Sequence, residues 1–343
     1  MNTRTAGMDV APTGTGLLGI EAIEPEFAAS VRAGLAQVED ALRTAVSDAD
    51  PLVHSAARHL VEAGGKRFRP LLALSAAHFG NAGADAVVQA AVVAELTHLA
   101  TLYHDDVMDE APVRRGAPSA NARWTNTIAI LTGDYLFARA SDLVADLGPD
   151  AVRLQARTFA RLVTGQIRET AGPADGDDAV EFHLHVLAEK TGSLIATSAR
   201  FGAMFSGCGP AITETLTAYG EEIGVAFQLS DDLLDIASTS AESGKTPGTD
   251  LREGVPTLAV LHALAGDDPG EARMRELISR PITDDDEVAE ALGLLRGSPA
   301  MVSARDTLAA YAQRARDLLA TLPDVPARNA LESLTYYVVD RTS

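Results

Sequence analysis

The amino-acid sequence predicts an all-α protein. Along most of the chain, apolar residues recur every three or four positions, the spacing that places them on one face of a helix. Runs that alternate apolar and polar residues and are rich in β-branched side chains, which are typical of strands, are nearly absent. No shift in composition marks a linker. We therefore expect one large helical domain over residues 20–343, after a disordered tail at residues 1–19.

Several segments carry the helical spacing clearly. In the first, 27–46, an apolar stripe runs through Val31, Leu35, Val38, Leu42 and Val46. The same spacing follows at 136–147, 152–167, 184–204, 216–234 and 302–322. Breaks rich in Gly, Pro or Asp separate these segments at 50–51, 64–65, 80–83, 148–149, 172–176, 207–210 and 266–270. Two further breaks, 109–118 and 238–256, are long enough to be functional loops.

The charge balance and the cysteine content exclude several classes of protein. The chain has 28 Lys and Arg against 48 Asp and Glu, a net charge of -20, which argues against nucleic acid as a partner. The single cysteine, Cys208, cannot form an intrachain disulfide and fits a reducing cytoplasm. No run of 18 apolar residues and no signal-peptide core is present, so we expect a cytoplasmic protein without a transmembrane segment.

The five-residue pattern DDxxD occurs twice. The first cluster comprises Asp105, Asp106 and Asp109, and the second comprises Asp231, Asp232 and Asp235. Composition alone gives roughly 0.2 copies of this pattern in such a chain. The first and fifth positions share a helix face, and apolar residues precede both clusters, so the carboxylates would repel one another unless a cation compensates them. Oxygen ligands of this kind suit Mg²⁺ that is shared with a substrate phosphate. The alternative is an acidic helix face exposed to solvent, which is what we expect for the acidic segments 177–181 and 284–287.

Cationic residues lie near these clusters in the sequence. The segment GGKRFRP at 64–70 predicts a turn followed by a helix start, whose cations and backbone N–H groups could hold an anion. Arg114 and Arg115 follow the first Asp cluster, and the pairs Lys190-Thr191 and Lys245-Thr246 occur later. Each is a weak signal alone, and a solvated surface turn explains any one of them. The segment at Lys245 is not a phosphate-binding P-loop, because the required earlier Gly and strand are missing.

Taken together, these motifs resemble the trans-isoprenyl diphosphate synthases, also called polyprenyl synthetases. The resemblance runs from about Val61 to Leu258 and includes GGKRFRP, HDDVMD with RRG downstream, GD at 133–134, KT, FQLSDDLLD and GKTPGTDLREG. The segment LATLYHDDVMDEAPVRRGAPSANARW is most similar to the long-chain branch, of heptaprenyl to decaprenyl type. One departure is Ala259, where the family usually has Pro. The resemblance implies an all-α bundle of the isoprenoid synthase type with a central substrate tunnel.

The resemblance also implies a role for each matching residue. Asp105, Asp106 and Asp109 would bind the allylic diphosphate through Mg²⁺, and Asp231, supported by Asp232 and Asp235, would complete a site for about three Mg²⁺ ions. Isopentenyl diphosphate would be held by Lys66, Arg69, His98 and Arg115, and the allylic diphosphate by Arg114, Lys190, Thr191, Gln228 and Lys245. The resemblance further implies a homodimer, and transient contact with a membrane while an apolar product leaves.

The product length depends on residues one turn before the first Asp cluster. Ala100 and Thr101 are small, so nothing at that level should block a chain growing toward the start of the helix. We therefore expect a long product for quinone side chains, with a farnesyl or geranylgeranyl diphosphate synthase as the alternative. A non-catalytic subunit of a heteromeric synthase, a class I terpene cyclase and a simple cation-binding helical protein are weaker alternatives, because both Asp motifs and GGKRFRP are intact.

Overall fold

Helices form nearly all of the secondary structure in this computed structural model, which describes residues 24–237 and 247–341. The predicted tail, residues 1–19, lies outside the described residues. In chain order the helices are α1 (Pro25–Ala45), α2 (Pro51–Glu62), α3 (Phe68–Ala77), α4 (Asp85–Met108), α5 (Ala120–Arg123), α6 (Asn126–Asp146), α7 (Pro149–Ala171), α8 (Ala179–Leu187), α9 (Ser193–Phe205), α10 (Pro210–Ala237), α11 (Thr249–Glu253), α12 (Leu258–Ala265), α13 (Ala272–Ile278), α14 (Asp285–Arg296), α15 (Pro299–Leu319) and α16 (Pro326–Asp340). The all-α prediction is confirmed.

The predicted breaks are where helices end and begin. At the start of α2 the Asp50 side chain accepts the backbone N–H groups of Leu52 and Val53, as a helix-capping residue does. Three details differ from the prediction. The segment 184–204 contains a π-helical turn, Ala188–Gly192, between α8 and α9; α15 ends at Leu319; and the predicted loop 238–256 contains the short helix α11. Ala259, which replaces the expected Pro, does not prevent α12 from starting at Leu258.

The helix α4 lies at the centre of the fold. It packs against α1, α3, α6 and α9, and one apolar core extends from Phe27 in α1 to Val338 in α16. By length and composition α4 could cross a membrane, but most of it is buried in the protein, as in the core helix of a globular fold. The Tyr103 hydroxyl donates to the Ala56 carbonyl and accepts the Leu60 N–H at 3.3 Å, which joins the end of α4 to α2.

A short hairpin follows α4 and carries two of the predicted site residues. Strands β1 (Val113–Arg114) and β2 (Ala117–Pro118) are antiparallel. Both turn residues, Arg115 and Gly116, have positive φ (54° and 76°), as in the tightest two-residue hairpin turns. His59 of α2 lies 2.7 Å from the Pro118 carbonyl oxygen and so holds the hairpin against α2. The hairpin thereby points Arg114 and Arg115 to different neighbours.

Candidate active site

The two Asp clusters lie at the C-terminal ends of α4 and α10. Asp105 is in the last turn of α4 and Asp109 follows its end, while Asp231 and Asp235 occupy the last turns of α10. The C-terminal end of a helix carries a partial negative charge of its own. Each cluster therefore concentrates negative charge that requires nearby cations.

The pKa values of three of these carboxyl groups, those of Asp105, Asp109 and Asp232, are raised. Burial, with repulsion from Asp109, raises the pKa of Asp105 to about 6 although Lys190 opposes the change. Burial also raises the pKa of Asp109, and it raises the pKa of Asp232 to about 7, with repulsion from Asp231 and Asp235 adding to the effect. The described side chains thus leave these carboxylates short of positive charge, and the donor set fits a hard divalent cation such as Mg²⁺.

Both clusters face a common space that contains Glu169 of α7. Repulsion from Glu169 contributes to the raised pKa of both Asp105 and Asp232. Lys190, in the π-helical turn after α8, has its Nζ 2.6 Å from Glu169 Oε2 and attracts the carboxylates of Asp105 and Asp109. That turn approaches α7 so closely that a Cβ on Gly165 would lie 2.8 Å from the backbone nitrogen of Lys190. Gly165 therefore allows Lys190 to reach the carboxylates.

Two of the six aspartates also hold neighbouring segments. Asp106 is fully buried; its Oδ1 accepts the Arg114 Nε–H at 2.6 Å, and its Oδ2 has no hydrogen-bond partner within residues 24–237 and 247–341. Asp235 accepts the backbone N–H groups of Thr249 at 3.2 Å and Asp250 at 3.0 Å, and so fixes the start of α11 to the end of α10. Asp105, Asp109 and Asp231 could hold a metal ion, and Asp231 Oδ1 also lies 2.8 Å from Nη1 of Arg341, the residue that follows α16.

A chain of side chains connects the predicted KT pair with the second Asp cluster. The Thr191 hydroxyl donates to Gln228 Oε1 at 3.4 Å, and Gln228 Nε2 donates to Asp232 Oδ1 at 2.9 Å. His183 of α8 lies beside it, with its Nε2 3.9 Å from Asp232 Oδ2. Burial lowers the pKa of His183 to about 4, so it is neutral at pH 7. Thr191 and Gln228, two of the residues predicted to hold one diphosphate, therefore lie beside the second Asp cluster.

The residues of the GGKRFRP segment form a second cationic group. Gly64, Gly65 and Arg67 have positive φ, and α3 begins at Phe68 as predicted. Arg115 Nη1 donates to the Leu60 carbonyl at 3.1 Å and also to the Gly64 carbonyl. The Arg115 side chain leaves no room for a Cβ at Gly65, since the two would be 2.8 Å apart. The hairpin and the Gly-Gly turn are therefore held together by Arg115.

Arg69 and His98 complete this second group. Burial lowers the pKa of Arg69 to about 10, which leaves it charged at pH 7, and its Nε has no partner among the described residues. Burial and the surrounding arginines, Arg69 first among them, lower the pKa of His98 well below its usual range. The buried, charged Arg69 with its unpartnered Nε fits a site for an anion.

Arg67, in the middle of the segment, does not face this space. Its Nη1 donates to the buried Glu95 carboxylate at 2.9 Å and its Nη2 to the Val61 carbonyl at 2.8 Å, and its Nε pairs with Glu39. These bonds fix the turn that presents Lys66 and Arg69. Arg114 pairs with the first Asp cluster whereas Arg115 joins the Gly-Gly turn, so the two arginines have different partners.

Most of the predicted site residues are brought together, and three kinds of residue need separate mention. Lys245 lies outside the described residues. Ala100 and Thr101 are buried in α4, with the Thr101 hydroxyl bonded to the His98 carbonyl at 2.8 Å, and the tunnel beside them stays a prediction. No sequence pattern points to Glu169, His183, Glu95 or Arg341, because each is identified only by a partner that is distant in the chain.

Comparison with known proteins gives consistent results. Residues 50–295 match the family model described as polyprenyl synthetase. The chain is 55% identical over 328 residues to the nonaprenyl diphosphate synthase of Mycobacterium tuberculosis, covering 95% of this chain and 98% of that one. Its fold is similar to geranylgeranyl pyrophosphate synthase from Corynebacterium glutamicum complexed with calcium and isoprenyl diphosphate (46% identity, TM-score 0.83, 93% and 98% of the chains covered). It is also similar to decaprenyl diphosphate synthase from Rhodobacter capsulatus (34% identity, TM-score 0.82, 93% and 99% covered).

Proposed function

The chain belongs to the polyprenyl synthetase family and is a trans-prenyltransferase, and on that premise we propose that it condenses isopentenyl diphosphate with an allylic diphosphate to make a long-chain polyprenyl diphosphate. One observation carries the proposal. Two Asp clusters on separate helices both interact with Glu169, and Arg114 and Lys190 lie beside the first of them. Arg69 and Arg115 form a separate cationic group at the Gly-Gly turn. Two diphosphate substrates with different roles require two separate groups of cations.

The allylic diphosphate belongs to the side of the Asp clusters. Arg114, Lys190, Thr191 and Gln228, together with Lys245, hold it there, and Asp105, Asp109 and Asp231 would hold Mg²⁺, about three ions per site. Bound Mg²⁺ supplies positive charge that stabilises the diphosphate as it leaves the allylic carbon. Lys190 and Arg114 add fixed positive charge to the same leaving group, where charge develops as the C1–O bond breaks.

The isopentenyl diphosphate belongs to the Gly-Gly turn. Lys66, Arg69 and Arg115 bind its phosphates, and neutral His98 contributes a hydrogen bond without adding charge. Held there, its double bond faces the allylic carbon, which turns a bimolecular encounter into a positioned reaction. A C–C bond forms, and a proton leaves to the released diphosphate. No protein nucleophile is required.

A long product for quinone side chains is supported by the small residues Ala100 and Thr101 and by the likeness to nonaprenyl and decaprenyl diphosphate synthases. Geranylgeranyl diphosphate is the second candidate product, favoured by the likeness to the Corynebacterium glutamicum enzyme. The test is to incubate the purified protein with isopentenyl diphosphate, Mg²⁺ and primers of different length, and to size the products. Products of about seven to ten isoprene units support the proposal, because the small Ala100, one turn before the first Asp cluster, leaves room for the growing chain. Products that stop at geranylgeranyl diphosphate favour the second candidate.

We further propose that the enzyme is a cytoplasmic homodimer. The helices α6 and α7 expose five large apolar side chains: Ile130 (43%), Leu131 (57%), Val152 (40%), Val163 (37%) and Ile167 (63%). A second copy that covers this apolar face would remove it from water. Light scattering at working concentration tests this, and a monomer would reject it. Product release would involve transient contact with a membrane, which vesicle co-sedimentation during turnover can measure.

A further inference from the structure

Arg341, at the C-terminal end of α16, is paired with the second Asp cluster. Its Nη1 lies 2.8 Å from Asp231 Oδ1, and the Arg341 side chain is only 11% exposed whereas that of Asp231 is 41% exposed. Arg341 Nε donates to the Ser230 hydroxyl at 2.7 Å and Nη2 donates to the Phe227 carbonyl at 3.0 Å. The guanidinium therefore bonds to α10 at three successive points.

The surroundings fix the guanidinium in this position. Its central carbon lies 4.6 Å from the centre of the Phe227 ring, close enough for a cation–π contact. The Ser230 hydroxyl in turn donates to the Val338 carbonyl at 2.7 Å, which ties α16 to α10. An Arg held by two hydrogen bonds, an ion pair and an aromatic ring does not leave its carboxylate freely.

The first Asp cluster offers a contrast. Asp105 has no ion pair within 4.0 Å among the described residues, and Arg114 pairs with the neighbouring Asp106 instead, at 2.6 Å. Asp231 therefore already has a positive partner before any metal arrives, whereas Asp105 does not. A divalent cation that approaches Asp231 alone meets the guanidinium charge at short range, while one that arrives with a diphosphate brings negative charge that offsets it.

We propose that Arg341 makes metal binding at Asp231 depend on the presence of a diphosphate. This inference rests on the proposed function, because it assigns Arg341 a positioning role at the same metal site. Arg341 opposes metal ions that arrive without substrate and tolerates those that arrive with it. By linkage, it strengthens the coupling between metal and diphosphate without itself holding the metal.

The test measures metal affinity directly. The dissociation constant of Mn²⁺ is obtained from the loss of its free-ion paramagnetic resonance signal, with the full chain alone and with the chain saturated by an unreactive allylic thiodiphosphate, corrected for metal held by that analogue in buffer. In Arg341→Gln, Mn²⁺ should bind about fivefold more tightly without the analogue, because a partly exposed ion pair contributes about 1 kcal/mol. With the analogue, the affinity should change less than about twofold, since the diphosphate already offsets the guanidinium.

The controls separate this role from a structural one. Arg328→Gln removes a similar Arg from the other end of α16, where it pairs with Asp324 at 2.5 Å, and should leave both affinities unchanged. Arg341→Lys keeps the charge and should show a smaller tightening; it also serves if the Gln variant does not fold. Adding Asp231→Asn should abolish the tightening. Unchanged or weaker Mn²⁺ binding in folded Arg341 variants would overturn the inference, whereas a wild-type enzyme that makes no prenyl diphosphate would overturn the proposed function instead.

Discussion

Replacing Arg69 with Ala should weaken isopentenyl diphosphate binding selectively. Arg69 has a pKa of about 10 and is charged at pH 7, its Nε has no partner in the described part of the chain, and Glu95 is the largest source of attraction on it. Its charge is therefore available for a diphosphate. A hydrogen bond to a charged group contributes about 1.5–3 kcal/mol. Because each 1.4 kcal/mol is a factor of ten, the KM for isopentenyl diphosphate should rise about 10- to 100-fold.

The assay is steady-state condensation with each substrate varied in turn, at saturating Mg²⁺. The KM for the allylic primer should change by less than about twofold in Arg69→Ala, because Arg69 belongs to the turn side of the site. Lys190→Ala is the matched comparison, since Lys190 lies with Glu169 beside the Asp clusters, and its larger effect should fall on the allylic KM. Equal effects of each variant on both substrates would refute the division into two anion sites.

Four further predictions follow from the same geometry. Asp105→Ala or Asp231→Ala should lower kcat by several decades in a folded protein, since lost charge stabilisation costs roughly 3–4 kcal/mol or more; near wild-type turnover would contradict the metal site. Chelation by EDTA should abolish activity, with Mg²⁺ or Mn²⁺ restoring it and Ca²⁺ restoring little, and full activity in metal-free buffer would be the contrary result. Ala100→Phe should shorten the products to farnesyl or geranylgeranyl length, measured by chromatography, whereas unchanged products would exclude this position as a length determinant. His98 should titrate by NMR well below its usual pKa of about 6.5 in the ligand-free protein, so its contribution to stability is present above that pH and is lost as the pH falls below it; a midpoint near 6.5 would show that it is not desolvated.

The sequence predicts the parts of the fold and site that depend on local pattern. The apolar spacing of 27–46 and the Asp-Pro and Gly-Pro breaks define α1, the start of α2 and the start of α7, because capping and helix periodicity act over a few residues. The DDxxD spacing places Asp105 and Asp109 together for the same reason. These features require no knowledge of which helices pack together.

Features that depend on pairing between distant segments could not be predicted. The burial of Arg67 against Glu95, the fixing of α11 by Asp235 and the pairing of Arg341 with Asp231 each join residues that only the packed fold brings together. The π-helical turn that carries Lys190 was not predicted either, because a single π turn is too short to show a period of its own. Contacts of this kind cannot be predicted from the local pattern of the sequence.

The central claim is that two Asp clusters and two cationic groups form one prenyl-transfer site. The most direct measurement is product sizing for the purified wild-type chain with isopentenyl diphosphate, Mg²⁺ and an allylic primer. We expect polyprenyl diphosphates whose formation requires all three components. Absence of any prenyl product from a folded, metal-loaded protein supplied with geranyl, farnesyl and geranylgeranyl diphosphate would contradict it.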